Sequence, residues 1–77
     1  MGRTNRTHKD RGALSRLADR IKDRRIKAGL TQEQAAKKAK RRQSTWAGWE
    51  SGSGDISFLT LKTIAEAIGT DLRELVA

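Results

Sequence analysis

The hydrophobic pattern of this chain becomes helical at Ala13. From there, apolar residues recur at steps of three and four, the spacing that places side chains on one face of an α-helix. The residues on this face are Leu14, Leu17, Ala18, Ile21 and Ala28. Gly29 follows and can adopt the positive φ of a helix C-cap. The pattern therefore predicts an amphipathic first helix over residues 13–28.

A second, shorter helix is predicted to begin after Thr31. Thr31 and Gln34 have the spacing of a capping box, in which the hydroxyl caps a backbone N–H and the amide reaches back. Three small residues would form the inner face of this helix and allow another helix to approach closely: Ala35, Ala36 and Ala39.

A third helix is predicted from Gln43 or Ser44 to Glu50. Trp46 and Trp49 lie three residues apart and therefore share one face of it. Tryptophans also stack on bases in proteins that bind single-stranded nucleic acid. A domain of this size has a thin core that needs large side chains, so we interpret both as core residues.

Two more helices complete the pattern. Ser57 is a good N-cap for a fourth helix that ends at Gly69. The apolar stripe predicted for this helix consists of Phe58, Leu61, Ile64, Ala65 and Ile68. Asp71 would cap a short fifth helix, with Leu72 and Leu75 facing inward. No strand pattern occurs, so the fold class predicted is all-α with five helices.

The charge of the chain is distributed unevenly. Its 77 residues suffice for one small domain, and the net charge is +8. Residues 1–12 lack apolar periodicity and are predicted to form a flexible basic arm before a domain at 13–77. Residues 13–42 carry eleven Lys or Arg against three acidic residues, whereas residues 43–77 carry two against five. This asymmetry indicates a polyanionic partner, and a solvated surface without a partner is the alternative.

Composition argues against several other classes of function. The chain has no Cys, and its only histidine, His8, lacks companions for a metal site. Scattered carboxylates without a nucleophile or a phosphate-binding loop give no support for an enzyme, a cofactor or a small-molecule ligand. Neither a membrane span nor a signal peptide is evident, so we expect a cytoplasmic, nucleoid-associated protein.

The central sequence "GLTQEQAAKKAKRRQSTWAGWESG", followed by "FLTLKTIAEAIGTDLREL", resembles the phage repressor and Cro family. The resemblance runs from about Leu14 to Val76 and is that of an XRE-like helix-turn-helix domain. It implies a compact five-helix bundle of the lambda repressor-like type, encoded by a bacterium or phage. It further implies a homodimer that binds a double-stranded DNA operator, with the third helix of each subunit in the major groove.

The resemblance also implies roles for individual residues. The base-contacting positions are Arg42, Gln43, Ser44, Ala47 and Gly48. The phosphate-contacting positions are Gln32, Lys40, Arg41, Ser51 and Ser53. Arg25 on the first helix would form a structural ion pair with Glu50 on the third. A Gln can bind adenine with two hydrogen bonds, an Arg can bind guanine in the same way, and an Ala can contact the thymine methyl group.

This chain departs from the family in the turn between the second and third helices. The family usually has Gly-Val-Ser where this chain has Lys40, Arg41 and Arg42. We expect a strained positive φ at Lys40, an Arg41 stem that lies over the core, and capping of the third helix by Ser44 in place of Arg42. Our hypothesis is that the turn sacrifices intrinsic stability for affinity to phosphates.

Other interpretations remain open from the sequence. The same fold serves as the antitoxin of a toxin–antitoxin pair and as a protein-interaction module that does not bind DNA. The basic arm and the cations of the first helix could touch phosphates or be solvated; among the latter, Lys22, Arg24 and Lys27 are the best candidates. A dimer surface at the C-terminus would use Leu75 and Val76.

Overall fold

The computed structural model describes the backbone of residues 2–53 and 56–76, and the side chains in these ranges from residue 15 onward. Its five helices are α1 (Gly2–Lys27), α2 (Gln32–Lys38), α3 (Gln43–Ser51), α4 (Phe58–Ile68) and α5 (Leu72–Val76). These two ranges contain no strand, and the predicted all-α fold with five helices is confirmed. None of the helices in the described part of the chain is long and apolar enough to cross a membrane.

Helix α1 begins well before the position that hydrophobic periodicity predicts. It already runs from Gly2, whereas the apolar pattern begins at Ala13. Periodicity reports which face of a helix is buried, and a helix without a buried face gives no such signal. The chain also lacks the prolines that would stop a helix. The division into an arm at 1–12 and a domain at 13–77 stays a prediction.

The helix starts predicted from capping residues are confirmed. Thr31 Oγ1 accepts a hydrogen bond from the backbone N–H of Gln34 at 3.1 Å, and Gln34 Oε1 accepts one from the Thr31 N–H at 2.9 Å. The Ser57 hydroxyl accepts a backbone N–H from the first turn of α4 at 3.1 Å. The Asp71 carboxylate accepts the backbone N–H of Arg73 at 3.0 Å. Each cap satisfies a donor that the start of a helix leaves without a partner.

One hydrophobic core joins the helices. Its largest fully buried side chains are Trp46, Ile21, Ile64 and Leu75. The rings of Trp46 and Trp49 meet edge to face, with centroids 5.3 Å apart and planes inclined at 62°. Both tryptophans are buried, as predicted, in the core where α3 packs against α1 and α2. Ala35 and Ala36 are buried too, which lets α2 and α3 pack closely.

Two predicted core residues are exposed, and one residue offered for a dimer surface is buried. Ala28 is exposed, since it follows the last residue of α1 and extends beyond the packed part of that helix. Phe58 is 65% exposed at the first position of α4, whereas Leu61, Ile64, Ala65 and Ile68 further along the stripe are buried. Leu75 is fully buried, which confirms that it faces inward and removes it from a dimer surface, whereas Val76 is exposed.

Candidate nucleic-acid interface

The turn between α2 and α3 has the backbone conformation that normally requires glycine. Ala39 is the C-cap of α2, and Lys40 follows with φ of 58°. Among the described residues, Lys40 is the one non-glycine residue with positive φ. A side chain in this left-handed region costs about 1–2 kcal/mol. The expected strain is therefore present, and the Lys40 side chain is exposed.

Arg41 binds back onto the end of α2. Its Nη1 donates to the backbone oxygens of Ala39 and Lys40, at 3.2 and 3.3 Å. The cation therefore lies at the C-terminal end of the α2 dipole, where positive charge is favourable. The side chain is exposed, and these two carbonyl groups hold its guanidinium group at the turn. A shallow groove floored by Ala39 and Ala67 remains beside it.

Arg42 occupies the N-cap of α3 without capping it. Its backbone is extended, with φ of −72° and ψ of 151°, and within the described chain its side chain makes no capping hydrogen bond. Helix α3 nevertheless begins at Gln43, so the expectation that Ser44 replaces the missing cap is wrong. The Arg42 carbonyl accepts the N–H groups of Thr45 and Trp46, which starts the helix at the earlier residue.

The outward face of α3 carries the predicted base-contacting residues. Gln43 and Ser44 are exposed, and Ala47 and Gly48 are half-buried. Thr45 is exposed as well, and sequence reasoning had not singled it out. A helix whose opposite face is fixed by two buried tryptophans presents these residues together to solvent. Of the predicted set, only Arg42 lies outside the helix, at its start.

Ser51 and Ser53 bond to each other and to the backbone. Ser51 is the last residue of α3, and Ser53 lies in the loop that follows it. Their hydroxyl oxygens are 2.9 Å apart and lie 3.0 and 3.3 Å from the carbonyl oxygen of Gly48. A hydroxyl has one proton to donate, so a phosphate would compete with these internal acceptors.

The structure brings Arg25 and Glu50 together. Arg25 Nε lies 2.6 Å from Glu50 Oε2, and Nη2 lies 3.1 Å from Oε1. The remaining Nη1 donates to the Leu30 carbonyl at 2.7 Å. Only 3% of the Glu50 side chain is exposed, so this is a buried, two-pronged ion pair that joins α1 to α3.

Two further donors bind the same carboxylate, and sequence reasoning had singled out neither bond, although Trp46 and Glu50 lie four residues apart on α3. Gln32 Nε2 donates to Glu50 Oε1 at 3.0 Å, and the Trp46 indole N–H donates to Oε2 at 2.5 Å. Each carboxylate oxygen therefore accepts two hydrogen bonds. The position of Gln32, at the start of α2, and its burial to an intermediate degree follow from this contact.

These contacts change the acidity of Glu50. Burial disfavours the charged carboxylate, but hydrogen bonds from Arg25, Gln32 and Trp46 together outweigh it. The pKa of Glu50 is therefore lowered below its ordinary value. The carboxylate stays charged in the folded protein at neutral pH.

We expect the stability of the fold to decline in acid through this residue. As the pH falls below about 5, the unfolded chain binds a proton at Glu50 before the folded chain does. Stability that is complete at neutral pH is then lost as the pH falls through the folded pKa. Urea unfolding between pH 3 and 7 measures this loss. In Trp46→Phe, which lacks one donor, the folded pKa of Glu50 lies closer to its unfolded value, so the loss should be smaller and complete at a higher pH; identical profiles would contradict the assignment.

The exposed cations concentrate around the turn. Lys37, Lys38, Lys40, Arg41 and Arg42 are exposed within six consecutive positions. Two of the candidates on α1 have carboxylate neighbours: Arg24 lies 2.9 Å from Glu74, and Lys27 lies 3.3 Å from Asp23. Among the side chains that the structure describes, the strongest positive surface therefore adjoins the start of α3.

Lys40→Gly should raise the melting temperature by about 4–8 °C, because it removes about 1 kcal/mol of backbone strain. The same change should weaken binding to duplex DNA, because one exposed cation is lost beside α3. Thermal unfolding and fluorescence anisotropy with a labelled duplex test the two effects. Lys40→Asn is the matched control, because it also removes the positive charge and asparagine tolerates positive φ. A fall in both melting temperature and affinity would exclude the exchange of stability for affinity.

Known proteins resemble most of this chain, including the turn and α3. Residues 21–75 match the protein family described as helix-turn-helix. Among solved structures, the restriction-modification controller protein C.AhdI from Aeromonas hydrophila superposes with a TM-score of 0.80 at 28% identity. That match covers 84% of this chain and 94% of the controller protein. Comparison with curated proteins gave no significant match.

Proposed function

Because the chain belongs to the helix-turn-helix family of XRE type, whose members are DNA-binding transcription regulators, we propose that it binds double-stranded DNA at an operator. In this proposal, α3 is the helix that contacts the DNA. The observation that carries the proposal is the surface formed by the outward face of α3 and the cationic turn before it. A major groove about 12 Å wide admits one helix. The buried tryptophans hold the opposite face of α3 against the protein.

We assign base reading to the start and the outward face of α3. The proposed base-contacting residues are Arg42, Gln43, Ser44, Ala47 and Gly48. Gly48 permits close approach of the DNA, and a Cβ atom there would meet nothing nearer than Ser53 Oγ at 3.7 Å. Gly48→Ala is therefore accommodated by the fold, which makes it a clean probe of the protein–DNA distance.

Phosphate binding is assigned to the turn and to α2. The proposed contacts are Lys40, Arg41 and Gln32, with Ser51 and Ser53 at the other end of α3. Arg41 Nη1 already bonds to the backbone, so its other guanidinium N–H groups would reach the phosphate. Most of the affinity would come from these charged contacts, with a steep dependence on salt.

We propose that the protein acts as a homodimer on DNA, with one subunit on each half-site. One α3 helix reads only a few base pairs, and two subunits read an inverted repeat with half-sites about one helical turn apart. On the promoter, such a dimer would act as a repressor of the Cro type by occluding polymerase.

Selection from a random duplex pool at about 150 mM salt tests this function. An enriched inverted repeat with the expected spacing supports the dimeric operator binder, and a single enriched half-site supports a monomer. Gln43→Ala and Gly48→Ala should each change the enriched sequence at defined positions. Binding at low salt without enrichment would contradict sequence-specific reading and favour the interaction module.

A second candidate function is control of a restriction-modification system. The likeness to C.AhdI favours it, because it extends over nearly the whole length of that controller protein. The operator sequence separates the candidates. A site found upstream of restriction or methyltransferase genes supports control of such a system, and a site at phage promoters supports the repressor.

A further inference from the structure

Gln32 lies between the buried Glu50 carboxylate and the surface proposed to contact DNA. It begins α2 and is half-buried, and it is a proposed contact for the DNA backbone. Its Nε2 donates one N–H to Glu50 Oε1 at 3.0 Å. A primary amide nitrogen carries two N–H groups, so the second is available to a phosphate oxygen.

Glu50 connects this amide to the recognition helix and to its core. The carboxylate also accepts the Trp46 indole N–H, at 2.5 Å, and two N–H groups of Arg25. With four donors around a side chain that is almost fully buried, the carboxylate has one arrangement available. Hydrogen bonds that share a buried acceptor polarise one another.

We propose that Glu50 is a positioning residue for DNA binding, which aims the Gln32 amide at a phosphate and couples that contact to Trp46 inside α3. The proposal rests on the proposed function. A phosphate that accepts the second N–H of Gln32 alters the bond from the first N–H to Oε1. The carboxylate then changes its bond to the indole on Oε2. Binding of a DNA phosphate at Gln32 on α2 is thereby coupled to the position of Trp46 within α3.

The Trp46 indole N–H resonance reports this coupling directly. Trp46 is fully buried, so it cannot touch DNA itself, and Trp49 provides the internal reference. Titration with an unselected duplex at low salt should shift the Trp46 indole signal clearly more than the Trp49 signal. In Gln32→Ala, which still binds through its cations, the Trp46 shift should be lost. A Trp46 shift that is equal in both proteins would overturn the coupling.

A double-mutant cycle on DNA affinity gives a second measurement. Gln32→Ala should weaken binding about three- to tenfold in the native background, the usual range for one hydrogen bond. In the Glu50→Gln background, Gln32→Ala should weaken DNA binding less than about twofold, because Glu50 no longer orients the Gln32 amide. Lys37→Ala is the control, and its effect should be equal in both backgrounds. Additive effects of Gln32→Ala and Glu50→Gln would overturn the proposal.

Two precautions keep the test decisive. If circular dichroism shows that Glu50→Gln does not fold, the indole titration of the native protein and Gln32→Ala decides the proposal alone. If no variant binds duplex DNA at low salt, the proposed function falls and the coupling falls with it. Binding with additive effects overturns the coupling alone and leaves the function intact.

Discussion

Arg25→Ala should lower the free energy of unfolding by about 3–5 kcal/mol, the usual cost of removing one partner from a buried ion pair. The variant leaves Glu50 charged and almost fully buried without its main partner. It also removes the donor to the Leu30 carbonyl, which holds the end of α1 to the loop before α2. Small domains have total stabilities of about 5–15 kcal/mol, so this change takes away much of the total.

Urea unfolding monitored by tryptophan fluorescence measures the effect. Arg24→Ala is the matched control, because it removes the neighbouring arginine of the same helix from an ion pair with Glu74. That pair is 36% and 49% exposed at its two side chains and joins α1 to α5. Exposed pairs contribute about 0–1 kcal/mol, so the control should unfold almost like the native protein. Equal losses in the two variants would contradict the special role of the Glu50 cluster.

Replacing the cationic turn by the Gly-Val-Ser of the family should have the largest effect on DNA binding. The changes are Lys40→Gly, Arg41→Val and Arg42→Ser. If each cation neutralises one phosphate, the slope of log affinity against log salt becomes shallower by about 3, and affinity near 0.1 M salt falls on the order of a hundredfold. Stability should rise, because strain at Lys40 is relieved and a serine can cap α3.

Anisotropy titrations with one duplex at several salt concentrations give the slope. Arg73→Gln is the control: it removes a cation from α5, which packs against α1 and α4, and Arg73 is highly exposed beside Asp71. Its slope should match that of the native protein. An unchanged slope in the turn variant would mean that the three cations do not meet phosphates.

The starts of α2, α4 and α5 and the end of α4 at Gly69 follow from the sequence because their signals are local. A capping box such as that of Thr31 and Gln34 needs only residues three apart. The buried tryptophans follow from spacing and from the demands of a thin core. The strain at Lys40 was predictable for a different reason: the resemblance identified a position that normally requires glycine, and φ there is positive.

The exposure of single residues and the contacts between helices depend on how the helices pack, and a local sequence pattern does not determine this packing. The exposure of Phe58 follows from where its neighbours end, whereas periodicity gives only the face. The bonds from Arg25 and Gln32 to Glu50 join three helices through one carboxylate, and the resemblance implied only the pair with Arg25. The Trp46 bond, by contrast, links residues four apart on α3. Helix α1 begins earlier than predicted because a helix without an apolar face leaves no periodic trace.

The division of labour on α3 has a consequence for how such a regulator diversifies. Its inner face is fixed by two tryptophans and a buried carboxylate, whereas Ser44 and Ala47, on the outer face, donate and accept no side-chain hydrogen bond within the described chain. If α3 binds an operator as proposed, substitutions at these outer positions change the surface offered to DNA at little cost in folding. A lineage could then move to a new operator through a few single substitutions, each of which leaves a folded protein.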